Sequence, residues 1–313
     1  MISTCVVVSN QEQLGILNLA AADSSGSNFN FVSAGDFGCG ENAKNTFNMM
    51  TKMEPELYIT LGDYSYQPEL DCWYDIFKSA GSALKVVVGN HDTMGSVMRT
   101  LMNKFNLQQP YYSFDYQNGH FLALSSELDS GDKGQYQFAI SDLAKSSSNP
   151  ITDWIIVFFH VPFYSGSGVD NNDMRDLYHP LFQKYKVDLV LTGHAHNYER
   201  SYPLNYNDDS PARPLIMDHE HSKYGNQTGT VFTIVGTGGE DIQGVDAKPY
   251  LASIYEGYGC LNVQINGRIL SAEFYSDQGK TIDRFTIVKN KNNPDGFNSM
   301  DNLQQVGYDN PLQ

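Results

Sequence analysis

Apolar residues in this chain fall in short runs bounded by turn signals, and the runs alternate with stretches of helical period. The pattern predicts strands at 29–34, 57–61, 84–88, 111–116, 121–125 and 154–159. Further strands are predicted at 187–192, 230–235, 260–265, 269–275 and 284–288. Helical spacing marks 43–53, 70–80, 135–145 and 174–184, and in the first of these Ala43, Phe47 and Met50 share one face. The first half is therefore a series of strand–loop–helix units, with strands apolar enough to be covered on both faces. The second half is richer in strands joined by tight turns, such as "NGR" at 266–268 and "DQG" at 277–279. An α/β fold class follows, with no internal repeat, in a chain long enough for one large domain or two modest ones.

The ends differ from this pattern. Residues 1–28 combine two short apolar pieces with the small residues Ala20–Ala22, but carry no basic residue. They are expected to be a degraded or misannotated export signal, or a lead-in docked on the domain. Residues 291–313 are polar, rich in Asn and Gln, and expected to form a tail. No apolar run reaches the ~20 residues of a bilayer-spanning helix.

Composition narrows the partners. The 313 residues hold 36 acidic against 20 basic side chains, a formal charge of −16. Nucleic acid and anionic membranes need a basic face, so both are disfavoured. An anionic small substrate stays open, because bound cations can reverse a local field. The four cysteines, Cys5, Cys39, Cys72 and Cys260, have no zinc-type spacing. The cysteines leave two readings open on equal terms: one disulfide, for which Cys39 with Cys72 is the first choice because both follow candidate site loops, or four buried free thiols. Asn226-Gln227-Thr228 fits a glycosylation acceptor.

The chemistry concentrates at predicted strand ends. Strand 29–34 runs into "GDFG" (35–38), strand 57–61 into "GDYSY" (62–66), and strand 84–88 into "GNHD" (89–92). Strand 154–159 runs into His160, and strand 187–192 into "GHAH" (193–196). Sites in open α/β sheets gather at the carboxyl ends of strands, where a rigid strand fixes a ligand and a Gly lets the chain turn it inward. Singly the signals are weak: a Gly-Asp after a strand is usually a turn, and a lone His is more often a hydrogen-bonded structural residue. Together they supply two Asp, one Asn, three His and one Tyr, more than one metal needs and suited to two cations sharing a carboxylate. His120, His179, His219 and His221 lack this context and are expected to be surface or structural residues, although "DHEH" at 218–221 could take up a stray metal.

In this order, "GDFG", "GDYSY", "GNHD", "VFFH" and "GHAH" resemble the signature blocks of the purple acid phosphatases, a branch of the calcineurin-like metallophosphoesterases, over about residues 29–290. Gly38 stands where the wider superfamily has a His, and Tyr66 stands where this branch has a compensating ligand. The resemblance implies a four-layer α/β/β/α sandwich of two mixed sheets flanked by helices. It implies Fe(III) on Asp36, Asp63, Tyr66 and His196, and divalent Fe, Zn or Mn on Asp63, Asn90, His160 and His194, with Asp63 bridging. Ligand chemistry agrees, since hard phenolate and carboxylate oxygens suit a trivalent ion and Asn with two His suit a borderline divalent one.

The implied function is a phosphoric monoester hydrolase, an acid phosphatase acting through a metal-bound hydroxide. His91 and Asp63 are the catalytic residues, with Asn90, His91 and Tyr164 facing a small phosphorylated substrate. The expected rate profile is a bell on the acidic side. Alternatives are a phosphodiesterase or nucleotide hydrolase of the same superfamily, and a non-catalytic domain that binds metal or phosphate. Two departures stand out. No second His follows His160 before His179, so substrate grip falls to Tyr164, Ser165 or Ser167, or to nothing comparable, and the third block ends in Asp92 where the family often has Glu. The plan is that of the single-domain members, without an N-terminal β-sandwich. An extracytoplasmic location is favoured by ferric iron, the sequon and the N-terminal remnant. The sequence leaves oligomeric state and natural substrate open.

Overall fold

The computed structural model describes residues 27–129, 131–225 and 229–289. The expectations for the N-terminal segment, the C-terminal tail, Cys5 and the sequon lie outside these residues.

The first half begins with β1 (Asn28–Ala34), α1 (Glu41–Lys52), β2 (Leu57–Thr60), α2 (Asp71–Phe77), β3 (Leu84–Val86) and α3 (Val97–Lys104). It continues through β4 (Tyr112–Tyr116), β5 (Gly119–Ala123), α4 (Lys133–Ser147), β6 (Trp154–Phe158), α5 (Asn172–Lys184) and β7 (Leu189–Thr192). The second half holds β8 (Tyr198–Asn205), β9 (Leu215–Ile216), β10 (Lys223–Gly225), β11 (Thr230–Val235), β12 (Leu251–Tyr255), β13 (Gly259–Asn266), β14 (Ile269–Ser276) and β15 (Thr281–Val288). These form two mixed sheets, ordered β10-β15-β14-β13-β1-β2-β3 and β12-β8-β11-β7-β6-β5-β4, with β9 beside β8.

The alternation of β6 shows why two sheets pack. Ile156 and Phe158 join the inter-sheet core, whereas Ile155 and Val157 face the cluster that α4 and α5 build with Leu143, Tyr178 and Phe182. Phe31 of β1 meets Phe121 of β5 edge to face across the sheets, ring centres 5.4 Å apart. On the other flank Phe47 of α1 packs on Tyr58 of β2 and on Phe77 of α2. The expected turns hold too: Gly267, with φ 53°, joins β13 to β14, and Gly279, with φ 81°, lies between β14 and β15.

Several elements depart from expectation: α3, β8, β9, β10 and β12 were not predicted, and one predicted helix ends early. The helix predicted at 70–80 is α-helical only to Phe77 and then tightens to a 3₁₀ turn, Lys78–Ala83, broken at Gly81 with φ 56°. Strand β8, "YERSYPLN", was not predicted because its charges and Pro203 hide the strand pattern. Its charged residues are buried and paired. Arg200 grips Asp283 through Nε and Nη2 at 2.6 and 3.0 Å, and Glu199 accepts from Ser165 Oγ and the Gly166 N–H.

Cys39 and Cys72 form a disulfide, Cα atoms 5.7 Å apart, tying the loop after β1 to α2. Cys260 is a buried free thiol that burial pushes up to about 12. Among the described residues no helix is long and apolar enough to cross a membrane.

Candidate metal centre

The parallel strands set the geometry. In one sheet β1, β2 and β3 run parallel, and in the other β5, β6, β7 and β11 do. Asp36, Asp63 and Asn90 follow the carboxyl ends of the first three strands; His160, His194 and His196 follow β6 and β7. The two sheets thus deliver their chain ends to one edge of the sandwich.

The donors converge in two sets. In the first, Tyr66 Oη lies 3.3 Å from Asp36 Oδ1 and 3.0 Å from His196 Nε2, and His196 Nε2 lies 3.6 Å from Asp36 Oδ1. In the second, Asn90 Oδ1 lies 3.0 Å from His160 Nε2 and 2.8 Å from His194 Nδ1, and the two imidazole nitrogens are 3.3 Å apart. Asp63 Oδ2 reaches within 3.3 Å of His160 Nε2. All seven residues expected to hold metal are therefore in the cluster.

Their outer contacts point the right atoms inward. His160 Nδ1 is 2.7 Å from Leu61 O, and His196 Nδ1 is 2.8 Å from Asp241 O. Each ring therefore donates its Nδ1 proton to a carbonyl and turns Nε2 into the cluster, the nitrogen that a bound cation would take in place of any second proton. Asp36 Oδ2 accepts the His194 N–H at 2.9 Å, leaving Oδ1 towards Tyr66.

The backbone is strained where the donors sit. Asp36, Asp63, Tyr66 and His194 all have positive φ, between 53° and 70°. Such conformations cost side-chain-bearing residues free energy and persist where the surroundings over-determine them. Close approach explains one of the neighbouring glycines: a Cβ on Gly89 would lie 2.2 Å from Asp63 Oδ1. The motif glycine there is needed for room.

The electrostatics fit cations. Burial, with the neighbouring Asp63 carboxylate, raises Asp36 well above the usual carboxylate range. Burial opposes a charge on His160, yet the Asp63 and Asp36 carboxylates push it up to about 10. Burial and those same carboxylates hold the Tyr66 proton on. Buried carboxylates and imidazole lone pairs held within hydrogen-bonding distance are what a pair of cations relieves. Among the described residues, Asp63, His160 and His194 are the one group of His, Cys, Asp or Glu whose ligand atoms all lie within 4.8 Å of one another, close enough to share an ion. The exposed His219 and His221 are in no such group.

The substrate expectations divide. His91 stands at the mouth, its side chain 40% exposed, with Nε2 4.0 Å from Asp63 Oδ2 and its ring 4.4 Å from that of Tyr66. Tyr164 does not join this group. It is 3% exposed, packs on Phe232, and its hydroxyl meets His179 Nδ1 at 2.8 Å, because the apolar Phe163–Tyr164 pair is pulled into the cluster under α5. Ser165 is committed to Glu199, and Ser167 bonds Gly244 O and Asn197.

Sequence reasoning missed three supporting residues. Asp92 is buried, and its two oxygens accept the N–H groups of Asp63 and Gly89, both at 2.8 Å, and of Tyr64 at 3.0 Å. Glu127 follows β5 and feels the charges of His160, Asp63 and His91. The Glu240 N–H donates to Asp36 O at 3.0 Å. Position after a parallel strand was the available signal for Glu127 and Glu240.

A two-sheet α/β sandwich with O and N donors at the ends of its parallel strands is the architecture of a metallophosphoesterase. The chain belongs to the calcineurin-like phosphoesterase family, whose profile matches residues 29–198. Among its curated relatives is purple acid phosphatase 23 of Arabidopsis thaliana, 26% identical over 58% of this chain and 50% of that protein. A phosphoenolpyruvate phosphatase of Allium cepa is 26% identical over 81% of this chain and 59% of that protein. The solved purple acid phosphatase from yellow lupin seeds superposes with a TM-score of 0.74 at 21% identity, covering 87% of this chain and 56% of that one. The chain thus spans about half the length of the purple acid phosphatases it matches.

Proposed function

We propose that this chain is an acid phosphatase hydrolysing small phosphomonoesters at a binuclear centre. The observation that carries the proposal is the meeting of the seven donor residues, with the Asp63 carboxylate 3.3 Å from His160 and near enough to Asp36 and Tyr66 for its charge to raise the pKa of both. Asp36, Tyr66 and His196 would hold one cation, Asn90, His160 and His194 the other, and Asp63 would touch both. When bound, such a pair supplies Lewis-acid activation of water and neutralises phosphate charge. Ferric iron is proposed beside Tyr66, because burial and two nearby carboxylates oppose loss of its phenolic proton and a strong Lewis acid is needed to displace it.

The chain's own residues do the rest. The mouth position of His91 lets it donate a proton to the departing alkoxide, a contribution of typically ~10²–10⁴-fold for a positioned acid. The His91 N–H donates to Asp63 Oδ1 at 2.8 Å, which fixes the bridging carboxylate and the acid relative to one another. With no second His on the loop after His160, phosphate contacts are proposed to come from Asn90 and His91. The disulfide supports an oxidising, extracytoplasmic setting.

The test is metal analysis and a visible spectrum of the purified protein, then assay on an aryl phosphate and a bis-aryl phosphate at pH 5. The proposal expects two metals per chain and faster turnover of the monoester. A protein that binds metal but turns over neither ester contradicts it, and preference for the diester would make it a phosphodiesterase.

A further inference from the structure

A cavity of about 520 Å³ lies at the opposite end of β3 from the metal centre. Leu84 and Lys85, which open the strand, line it, whereas Asn90 follows the strand's carboxyl end. Its volume falls within the ~300–1,000 Å³ usual for small-molecule sites. Tyr74, Lys78, Lys104 and Phe114 also line it, and no carboxylate does.

That composition is unusual for this chain, where acidic residues outnumber basic ones by 36 to 20. Lys78 is paired with Asp75 at 2.9 Å, but Lys85 and Lys104 have no carboxylate within ion-pair distance among the described residues. Lys85 is half-buried, donates to Ser82 O at 2.9 Å, and sits 5.2 Å from the centre of the Phe114 ring. Lys104 lies 4.0 Å from the centre of the Tyr74 ring. Burial lowers the Lys85 pKa, the cost of a cation kept from water without a counter-charge. A solvated surface lysine shows no such signature.

We propose that this cavity is a second binding site, separate from the metal centre, for an aromatic anion. A flat ring packs among the Tyr74, Tyr112 and Phe114 side chains that line the cavity while its acidic group neutralises Lys85 and Lys104. The overall charge of −16 repels anions at long range, but screening over roughly 8–10 Å leaves the local lysines to decide.

Calorimetric titration of the metal-loaded full chain with naphthalene-1-sulfonate tests the site. Saturable binding is expected, weakened at least about tenfold, or ~1.4 kcal/mol, in the K85Q/K104Q double variant. Binding should persist in Asp63→Asn and weaken when salt is raised from 20 mM to about 300 mM. Thermal melts report whether the double variant is folded; if it is not, Lys104→Gln, at an exposed position, and the salt series decide. Equal affinity for neutral 1-naphthol would overturn the proposal, as would no saturable binding at millimolar probe. Binding lost in Asp63→Asn but kept in K85Q/K104Q would place the probe at the metal centre and overturn it too.

Discussion

Asp92 offers the sharpest test of how the centre is held. Its carboxyl group is buried and receives three backbone N–H groups, two on Oδ2 from Asp63 and Gly89 and one on Oδ1 from Tyr64. Burial, with help from the Asp63 charge, pushes Asp92 up to about 7, but either protonation state leaves both oxygens able to accept. Asp92→Asn does not. The amide keeps one oxygen for Asp63 and Gly89 and turns an NH₂ towards the Tyr64 N–H. One buried donor is orphaned and faces another donor, a cost of about 1–3 kcal/mol. For a chain of this size that corresponds to a fall in Tm of roughly 1.5–5 °C. Function should suffer more than stability, because the orphaned N–H belongs to Tyr64, next to Asp63 in the same loop, and a disturbed supporting contact typically costs ~10–100-fold in metal affinity or activity. Melting curves, metal content per chain and kcat/KM on an aryl phosphate measure all three. A variant that melts within 1 °C of the parent, holds its metal and turns over normally would refute the claim that Asp92 positions the bridging loop.

Other outcomes follow from the same structure. His120 lies between Asp115 and Asp142, 2.7 Å from each; burial opposes its charge but the two carboxylates outweigh that and raise its pKa. A raised histidine contributes stability below its unfolded pKa and loses it as pH climbs through the folded value. The Tm gap between parent and His120→Gln should therefore be widest below about pH 6 and close on the alkaline side, and a gap independent of pH would contradict this. The Cys39–Cys72 disulfide closes a separation of 33 residues, so chain-entropy reasoning gives about 3–4 kcal/mol of stabilisation. C39A/C72A should lower Tm while reducing agent leaves its Tm unchanged. Tyr66→Phe should abolish any tyrosinate–iron absorption band, and a band that survives would remove Tyr66 from the ligand set. His91→Ala should retain both metals in elemental analysis while kcat falls ~10²–10⁴-fold, and loss of metal instead would make His91 structural.

The centre was readable because its grammar is local. Most of the proposed ligands come shortly after an apolar strand, usually behind a Gly, and Gly89 shows why, since a Cβ there would collide with Asp63; Tyr66 and His196 lie further along their loops. What supports the ligands is not local. Asp92 looks like an ordinary loop acid until the fold brings three N–H groups to it, and Tyr164 looks available until His179, fifteen residues on, takes its hydroxyl. Strand β8 was hidden for a related reason: Glu199 and Arg200 read as solvent-facing, yet Asp283, Tyr224 and the Gly166 N–H, all distant in sequence, neutralise or bond them inside. Pattern identifies residues that must be apolar or must turn; it does not identify polar residues whose partners arrive through tertiary contacts.

Backbone strain links the readable part to the hidden part. Asp36, Asp63, Tyr66 and His194 each hold a positive φ, and side-chain-bearing residues in such conformations cost on the order of 1 kcal/mol or more apiece. Glycine at those positions would relieve the strain and erase the donors. The strain is instead countered by contacts that sequence does not announce: the Asp92 carboxylate on the Asp63 N–H, the Asp36 carboxylate on the His194 N–H, and Asp36 N donating to Gly62 O. The strained donors hold one another in place, Asp36 being both a donor to the centre and the acceptor that fixes His194. Removing the Asp36 carboxylate should therefore loosen His194, whose N–H it holds. Double-variant cycles between Asp36 and His194 should give coupling well above the ~0.3–0.5 kcal/mol scatter of independent sites, and additive losses would show that each ligand is held separately.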